Sequence, residues 1–264
     1  MPVAARARLS QSSSVKMLMV LACLLVACSS SPLDSAAAGG AGGGSADAAA
    51  AGAGASAGSP AFVDSCSAAR AQLLGAIATV SSASVKVLSD SAGVKTLYVD
   101  ASAGGRDAAA THPWTFIALG TATKAAVNDV TSLESLGWDL AFKRAQVYVN
   151  GGEGGPGVGA SAFLAKDFAD VTRADVTDAQ FASEKFFDDD CNPYVDLTGA
   201  ASTSLSAWYN YDQATNILTP VSGTWLVRGA TGTYFKLRFE SYYATPSGGE
   251  GNASGAYLLQ IAGL

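Results

Sequence analysis

The segment Tyr234-Phe235-Lys236-Leu237-Arg238-Phe239-Glu240 decides the fold class of this chain. Its apolar residues Phe235, Leu237 and Phe239 alternate with charged residues. A period of two places alternate side chains on opposite faces of an extended backbone, so the pattern is typical of a strand with one buried face. The segment therefore predicts a β-strand that packs against a core.

The neighbouring sequence predicts two partners for this strand. Thr224–Arg228 precedes it across Gly229-Ala230-Thr231-Gly232, a spacer that favours a hairpin. Ser247–Gly255 forms a second break, after which alternation resumes from Tyr257 to the end of the chain. The C-terminal part of the sequence thus predicts a three-stranded antiparallel meander.

Further strands are expected upstream of the meander, and no series of helical segments alternates with them, which argues against parallel βαβ units. The predicted strands are Lys95–Val99, Trp114–Leu119, Trp138–Asn150 and Ala207–Tyr211. One short helix is expected near the start of the domain, capped by Asp64 or Ser65, with apolar residues at helical spacing at Ala69, Leu73, Ile77 and Val80. The predicted fold class is all-β: an antiparallel two-sheet sandwich or a flattened barrel with a short N-terminal helix, preceded by a disordered tether.

Residues 1–27 are typical of a lipoprotein signal peptide. Three basic residues precede the apolar run Met17–Ala27, whose 11 residues are too few to cross a hydrocarbon core of about 30 Å as a helix. The run ends in Leu25-Val26-Ala27-Cys28, which resembles the lipobox of bacterial lipoproteins and makes Cys28 the expected acylated residue. The alternatives are an ordinary signal peptide with an incidental cysteine, or a short buried helix. The first interpretation predicts an extracytoplasmic protein anchored to the outer membrane.

Residues 28–61 are predicted to form a flexible linker, and residues 62–264 the folded domain. Between 35 and 61 only Asp47 and Pro60 are not Ala, Gly or Ser, and no aromatic residue precedes Phe62. Such a composition buries too little apolar surface to offset the entropy of ordering the chain.

Two cysteines remain once Cys28 is assigned to the anchor. Outside the cytoplasm, Cys66 and Cys191 are expected to form a disulfide, which a chain-entropy model values at about 4–5 kcal/mol for a loop of this length. The alternative is a pair of buried thiols.

The charge balance argues against nucleic acid as a partner. The formal charge is −6, and it falls to −9 without the three basic residues of 1–27. An acidic surface repels a phosphate backbone and an anionic membrane face.

Little in the sequence points to catalysis or to a metal. His112 is the only histidine, no Gly-x-Ser-x-Gly elbow is present, and two distant cysteines make no zinc cluster. The glycine run 151–159 contains Glu153 and Pro156, which do not suit a phosphate loop, and it predicts a wide turn. The run Asp188–Asn192 predicts a solvated acidic loop, with an irregular calcium site as the alternative. We therefore expect a binding protein that is not an enzyme, with no catalytic residue and no metal site assigned. Some of its aromatic residues are free to line a pocket for a flat ligand.

Several blocks, in order along the chain, resemble HmuY-like lipoproteins. These blocks are Tyr98–Ser102, Pro113–Phe116, Trp138–Arg144, Asn150–Gly152, Trp208–Tyr211, Val227-Arg228 with Tyr234–Leu237, and Ser241–Tyr243. The resemblance implies an all-β, lipid-anchored outer-membrane protein that captures haem and passes it to an outer-membrane transporter.

The composition of the mature chain restricts how it could hold haem iron. Family members that bind haem use two axial side chains, His with His or with Met involved, whereas this chain has one His and loses all three Met with the signal peptide. Tyrosine ligation or His112 alone remain, and His112 and Tyr148 are the candidate ligands. Two hypotheses follow: a protein that binds haem or a related planar ligand through unusual ligation, and a non-haem member that uses the same scaffold as a surface binding or interaction protein.

Overall fold

The structure, a computed structural model, describes residues 64–264. The predicted signal peptide (1–27), the acylation site Cys28 and the predicted linker (28–61) lie outside the described residues. Within the described part, strands predominate over helices. The helices are α1 Ser67–Leu74 and α2 Asp175–Asp178, with 3-10 turns at Ala109–Thr111, Thr131–Glu134, Phe168–Asp170 and Ser206–Trp208. The strands are β1 Val85–Ser91, β2 Val94–Asp100, β3 Thr115–Ala118, β4 Thr123–Lys124, β5 Leu140–Lys143, β6 Gln146–Val149, β7 Ala160–Leu164, β8 Tyr209–Asp212, β9 Ile217–Pro220, β10 Thr224–Arg228, β11 Tyr234–Ser241 and β12 Ala256–Gly263.

The strands form three sheets in which neighbouring strands run antiparallel. A six-stranded sheet has the order β1-β2-β12-β11-β10-β7, a four-stranded sheet has the order β4-β3-β5-β6, and β8 pairs with β9. Between residues 64 and 264 no sheet closes into a barrel. The predicted all-β antiparallel class is therefore confirmed, with the sandwich favoured over the flattened barrel and a small third sheet added.

The predicted meander is the centre of the six-stranded sheet. β10, β11 and β12 are successive neighbours, and Leu237 lies opposite both Trp225 and Ile261. Phe235, Leu237 and Phe239 are buried, as their alternation predicts. Burial of these alternate side chains fixes the register, because a slip by one residue would turn them to solvent.

The single strand predicted over Trp138–Asn150 is wrong, because the chain turns back within it. β5 ends at Lys143 and β6 begins at Gln146, and these two residues are opposite each other in the hairpin. Arg144, in the turn, has φ +53°, a left-handed conformation that residues other than glycine rarely adopt. The segment contains no glycine, proline or asparagine at this point, so the sequence carries no ordinary turn signal.

The predicted N-terminal helix exists but is shorter than its apolar spacing indicates. α1 ends at Leu74, and Gly75, with φ +90°, turns the chain out of the helix, so Ile77 and Val80 are not helical. At the other end, the Asp64 carboxylate accepts a hydrogen bond from the Cys66 N–H at 3.1 Å. The predicted cap at Asp64 or Ser65 is therefore wrong: Cys66 is the N-cap residue, no side chain caps the helix, and the Asp64 hydrogen bond closes the turn before it.

The four-stranded sheet is buried on both faces, which explains the fully buried strand β5. On one face Leu140 and Phe142 join residues of the six-stranded sheet in the main core. On the other face Ala141 packs in an outer cluster that α1 and the segment around Phe186 cover. A disulfide joins Cys66 before α1 to Cys191 after that segment, so the predicted bridge fastens the two parts of the covering layer.

The glycine run forms a close backbone crossing where a wide turn was predicted. Gly151 pairs with Val158, and the Gly159 N–H donates to the Asn150 carbonyl at 2.7 Å. The fully buried Asn150 side chain accepts from Gly157 N–H at 3.0 Å and donates to the Trp138 carbonyl at 2.8 Å. Glycine is required here because two backbone segments approach too closely for side chains.

Candidate functional site

A groove with a volume of about 760 Å³ opens beside the β8–β9 hairpin. This volume falls within the usual range for small-molecule sites. We call it the tyrosine groove, and the side chains on which the argument rests are Arg106, Arg144, Tyr209, Tyr211, Tyr242 and Tyr243. They come from separate parts of the chain that the packing of the three sheets brings together.

The β8–β9 hairpin supplies one wall of the groove. Tyr209 and Tyr211 are two residues apart on β8, and side chains at this spacing share one face of a strand. Tyr211 is half exposed, and its hydroxyl donates to the Asn216 side-chain oxygen at 2.6 Å. Burial, followed by the negative charge of Asp196, raises the pKa of Tyr209. These rings present apolar faces with polar ends.

The segment directly after β11 supplies a second pair of tyrosines, Tyr242 and Tyr243. The register between β11 and β12 shifts between Phe239 and Ser241, and such a bulge re-aims the side chains that follow it. The Tyr243 hydroxyl accepts a hydrogen bond from the Leu218 N–H at 3.0 Å, which ties the hairpin to the main sheet. Tyr242 is buried, and burial raises its pKa to about 12. At neutral pH Tyr242 is therefore a neutral phenol.

Trp208 supports the groove from below. It is fully buried, stacks on Phe239 with ring centroids 4.8 Å apart, and contacts Tyr242 at 5.6 Å. Its indole N–H donates to the Ala145 carbonyl at 2.8 Å. One side chain thus fixes both β8, which follows it directly, and the β5–β6 turn, so the groove is built on rigid packing.

Two arginines give the groove cationic groups. The Arg144 guanidinium donates to the Ser254 carbonyl at 2.9 Å and to the Ser254 hydroxyl at 2.7 Å, which holds it against the loop before β12. Arg106 is exposed on the same lining, and Asp196 contributes an acidic group. A guanidinium pairs well with a planar carboxylate, so a flat ligand with carboxylate groups would suit this lining.

The structure places the predicted ligand candidate His112 outside the tyrosine groove. Its Nδ1 lies 2.9 Å from the Ala108 carbonyl, which can only accept, so Nδ1 is the donor of this hydrogen bond. The exposed ring lines a separate cavity of about 240 Å³ with Gly104 and Phe142. A Cβ on Gly104 would clash with this ring, so the ring lies directly against the loop backbone.

The second predicted candidate, Tyr148, also lies outside the groove. It is buried in the outer cluster, with its ring 4.7 Å from that of Trp114, 5.7 Å from Trp138 and 5.6 Å from Phe186. Burial raises the pKa of Tyr148 above its ordinary value. Iron ligation by Tyr148 would require this cluster to open.

The groove tyrosines were not among the residues singled out from the sequence as ligands. The available signals were the alternation of Tyr209 and Tyr211 and the adjacent pair Tyr242-Tyr243, both within blocks quoted for the resemblance. What the sequence could not reveal is that these blocks and Arg144 meet, because their convergence depends on sheet packing between residues far apart in the chain.

The acidic run around Asp188 is closed by its own hydrogen bonds. The Asp188 carboxylate accepts from the Asn192 side chain at 2.9 Å and from the Asn192 N–H at 2.8 Å, and these hydrogen bonds lower its pKa. In the part of the chain from 64 to 264, no group of three or more potential metal ligands is brought together. The helices of this same part are all too short or too polar to span a bilayer.

Comparison with known families identifies the family of this chain. The family described as HmuY protein matches residues 110–257. This range contains the whole groove lining except Arg106. Among proteins of curated function, none matches this chain.

Solved structures of related shape come from Bacteroides and Tannerella. A candidate lipoprotein from Bacteroides fragilis has 21% identity and a TM-score of 0.40, over 67% of this chain and 92% of that one. A candidate HmuY-like haem-binding protein from Bacteroides vulgatus has 22% identity and a TM-score of 0.40, over 64% and 91%. The apo HmuY analogue of Tannerella forsythia has 13% identity and a TM-score of 0.44, over 64% and 95%.

Proposed function

Because this chain belongs to the HmuY family, we propose that it binds haem or a related planar ligand in the tyrosine groove. The observation that carries the proposal is the convergence of three of the quoted sequence blocks on this one groove. Arg144 ends the first block, Tyr209 and Tyr211 end the second, and Tyr242-Tyr243 end the third. Aromatic rings offer faces on which a macrocycle stacks, and the arginines complement its carboxylates.

Among the groove tyrosines, we propose Tyr211 as the axial ligand of a haem iron. Ferric iron binds the phenolate form, so burial that raises the pKa of a tyrosine works against ligation. Burial does so for Tyr209 and Tyr242, and the Tyr243 hydroxyl is held by the Leu218 N–H. Tyr211 is half exposed, and among residues 64–264 its hydroxyl hydrogen-bonds to the exposed Asn216 side chain alone.

The cellular role that we propose follows the family and the N-terminal sequence. Acylation at Cys28 would anchor the protein to the outer membrane, and the linker 28–61 would hold the binding domain away from the lipid surface. From there the protein would pass its ligand to an outer-membrane transporter. We propose a binding role without catalysis. The groove offers aromatic rings for stacking and arginines that pair with ligand carboxylates, in place of a nucleophile with its base.

The test is a titration of the full-length chain with haemin, followed by absorption spectroscopy. We expect a saturable one-to-one Soret shift, about tenfold weaker binding for Tyr211→Ala, and loss of the phenolate-to-iron band in Tyr211→Phe, which keeps the ring. Tyr148→Phe is the matched control, since it removes the same hydroxyl from the buried outer cluster. Equal effects of Tyr148→Phe and Tyr211→Phe would contradict the assignment of Tyr211.

The composition of the mature chain favours one further candidate function. With a single His and no Met left, the chain lacks the usual axial pairs, which suits a family member that binds a different ligand or a surface partner on the same scaffold. Metal-free protoporphyrin separates the cases. Binding of protoporphyrin as tight as that of haemin indicates stacking without ligation, and a featureless spectrum with both favours the non-haem alternative.

A further inference from the structure

A second, smaller cavity lies between the C-terminal end of α1 and the β5–β6 hairpin. Its volume is about 240 Å³, and Trp114, Lys143, Arg144 and Gln146 are among its lining residues. Arg144 and Gln146 also line the tyrosine groove, so the two spaces are neighbours. We call it the lysine cavity.

The wall of this cavity contains a buried ammonium group. Lys143 is only 7% exposed, and its Nζ lies 5.3 Å from the centroid of the Trp114 ring. Among residues 64–264 this ammonium donates no hydrogen bond, and no carboxylate lies within ion-pair distance of it. Burial lowers the pKa of Lys143, and the negative charge of Asp129 offsets this in part. A buried cation of this kind is costly unless it is paired and hydrogen-bonded.

The nearest acid does not satisfy the lysine. The Asp129 carboxylate accepts from the Trp114 N–H at 2.9 Å and from the Ile77 N–H at 3.2 Å, and it lies outside ion-pair distance of the Lys143 ammonium. Two carbonyl groups at the end of α1 already accept hydrogen bonds from other donors. Leu74 accepts from the Trp114 indole at 2.7 Å, and Ala71 accepts from the Gly75 N–H.

A second donor in the same wall lacks an acceptor. The side-chain nitrogen of Gln146 is buried and has no hydrogen-bond partner within the described part of the chain. Buried donors are nearly always satisfied in folded proteins, so the Gln146 nitrogen, next to an ammonium group that donates no hydrogen bond among residues 64–264, indicates an acceptor bound in the cavity. The volume has room for a group the size of a few water molecules.

We propose that the lysine cavity binds a carboxylate group, held by the Lys143 ammonium and the Gln146 amide. A carboxylate accepts several hydrogen bonds and neutralises the buried cation. Its source is either a carboxylate arm of the ligand in the tyrosine groove or a small free carboxylate. The first source rests on the proposed function, and the site itself does not.

The test uses acetate as the probe on the full-length chain, without any porphyrin. We expect a saturable shift of the Gln146 side-chain amide signal in NMR spectra and a rise in Tm with acetate, both lost in Lys143→Met. Lys236→Met is the matched control, because Lys236 also lies over an aromatic ring, 4.7 Å from Phe168, but donates to the Phe168 and Val171 carbonyls. This control should keep the acetate response. An acetate response that is absent, or that Lys143→Met retains, overturns the proposal.

Two further arms keep the result decisive. If Lys143→Met does not fold, Ala110→Phe at the exposed rim blocks the cavity and should abolish the same response. The affinities of the protein for haemin and for the dimethyl ester of haemin, which has no free carboxylate, identify the source of the carboxylate. If the ester binds about tenfold more weakly than haemin, and Lys143→Met abolishes this difference, the carboxylate is an arm of the groove ligand. If haemin and the ester bind equally while acetate still binds, the carboxylate is a small free one. Failure of haemin to bind leaves the acetate result in place.

Discussion

Replacement of Gly151 by alanine tests whether the glycine run is a backbone crossing. A Cβ at 151 would lie 2.7 Å from the carbonyl carbon of Gly159 and still closer to its oxygen and nitrogen, whereas carbon atoms pack best at about 3.5–4.0 Å. The two segments must therefore separate by about 1 Å. That movement breaks the hydrogen bonds from Gly159 N–H to the Asn150 carbonyl and from Gly157 N–H to the Asn150 side chain.

The cost follows from those contacts. The loss of these two hydrogen bonds at about 1 kcal/mol each, plus about 1–3 kcal/mol for overpacking, lowers the free energy of unfolding by about 3–5 kcal/mol. For a domain of this size, the corresponding fall in Tm is about 10 °C. Urea unfolding followed by tryptophan fluorescence measures it, with Gly263→Ala as the control, because nothing lies within 4 Å of a Cβ there. Equal midpoints for Gly151→Ala and Gly263→Ala would refute the crossing.

Three further predictions concern titration, the disulfide and the anchor. Burial raises the pKa of Glu184 in the folded protein from 4.5 to about 7, so between these pH values the native state binds a proton that the unfolded state has released. The free energy of unfolding should therefore fall by about 3 kcal/mol as the pH rises through this window. Glu184→Gln should make the urea midpoint less dependent on pH. A flat profile for the unsubstituted chain would argue against a buried carboxyl at 184. Removal of the Cys66–Cys191 bridge by a double Ser substitution should lower the free energy of unfolding by at most about 4–5 kcal/mol, since it frees a loop of 125 residues; denaturant midpoints measure this, and modification of both cysteines by alkylation without prior reduction would contradict the bridge. Cys28→Ala should move the protein from the membrane fraction to the soluble fraction, and an unchanged distribution would contradict acylation at this residue.

Local patterns in the sequence were sufficient to predict a strand whose alternate side chains are buried. The alternation of Phe235, Leu237 and Phe239 predicts a half-buried strand because burial acts on each side chain directly. The hairpin at Arg144 escaped prediction because a non-glycine residue takes the left-handed conformation there, under the constraint of sheet pairing on both sides. Local propensity contains no information about such a constraint.

The site was harder to predict than the fold for a related reason. Tyr209 lies on β8 and Tyr243 follows β11, and the hydrogen bond from the Leu218 N–H to the Tyr243 hydroxyl joins these two parts of the fold. In contrast, Tyr148 is attractive in sequence, on a strand after a strong motif, yet alternation turns it into the outer cluster. Which face of a strand meets a groove and which meets a covering layer depends on the whole topology.

The position of bound haemin shows whether the tyrosine groove is the binding site. A crystal structure of the full-length chain with haemin bound should place the macrocycle in the tyrosine groove, against Tyr209 and Tyr211, with the Tyr211 oxygen bonded to iron. Density for haemin beside His112, with the tyrosine groove filled by solvent alone, would contradict the account.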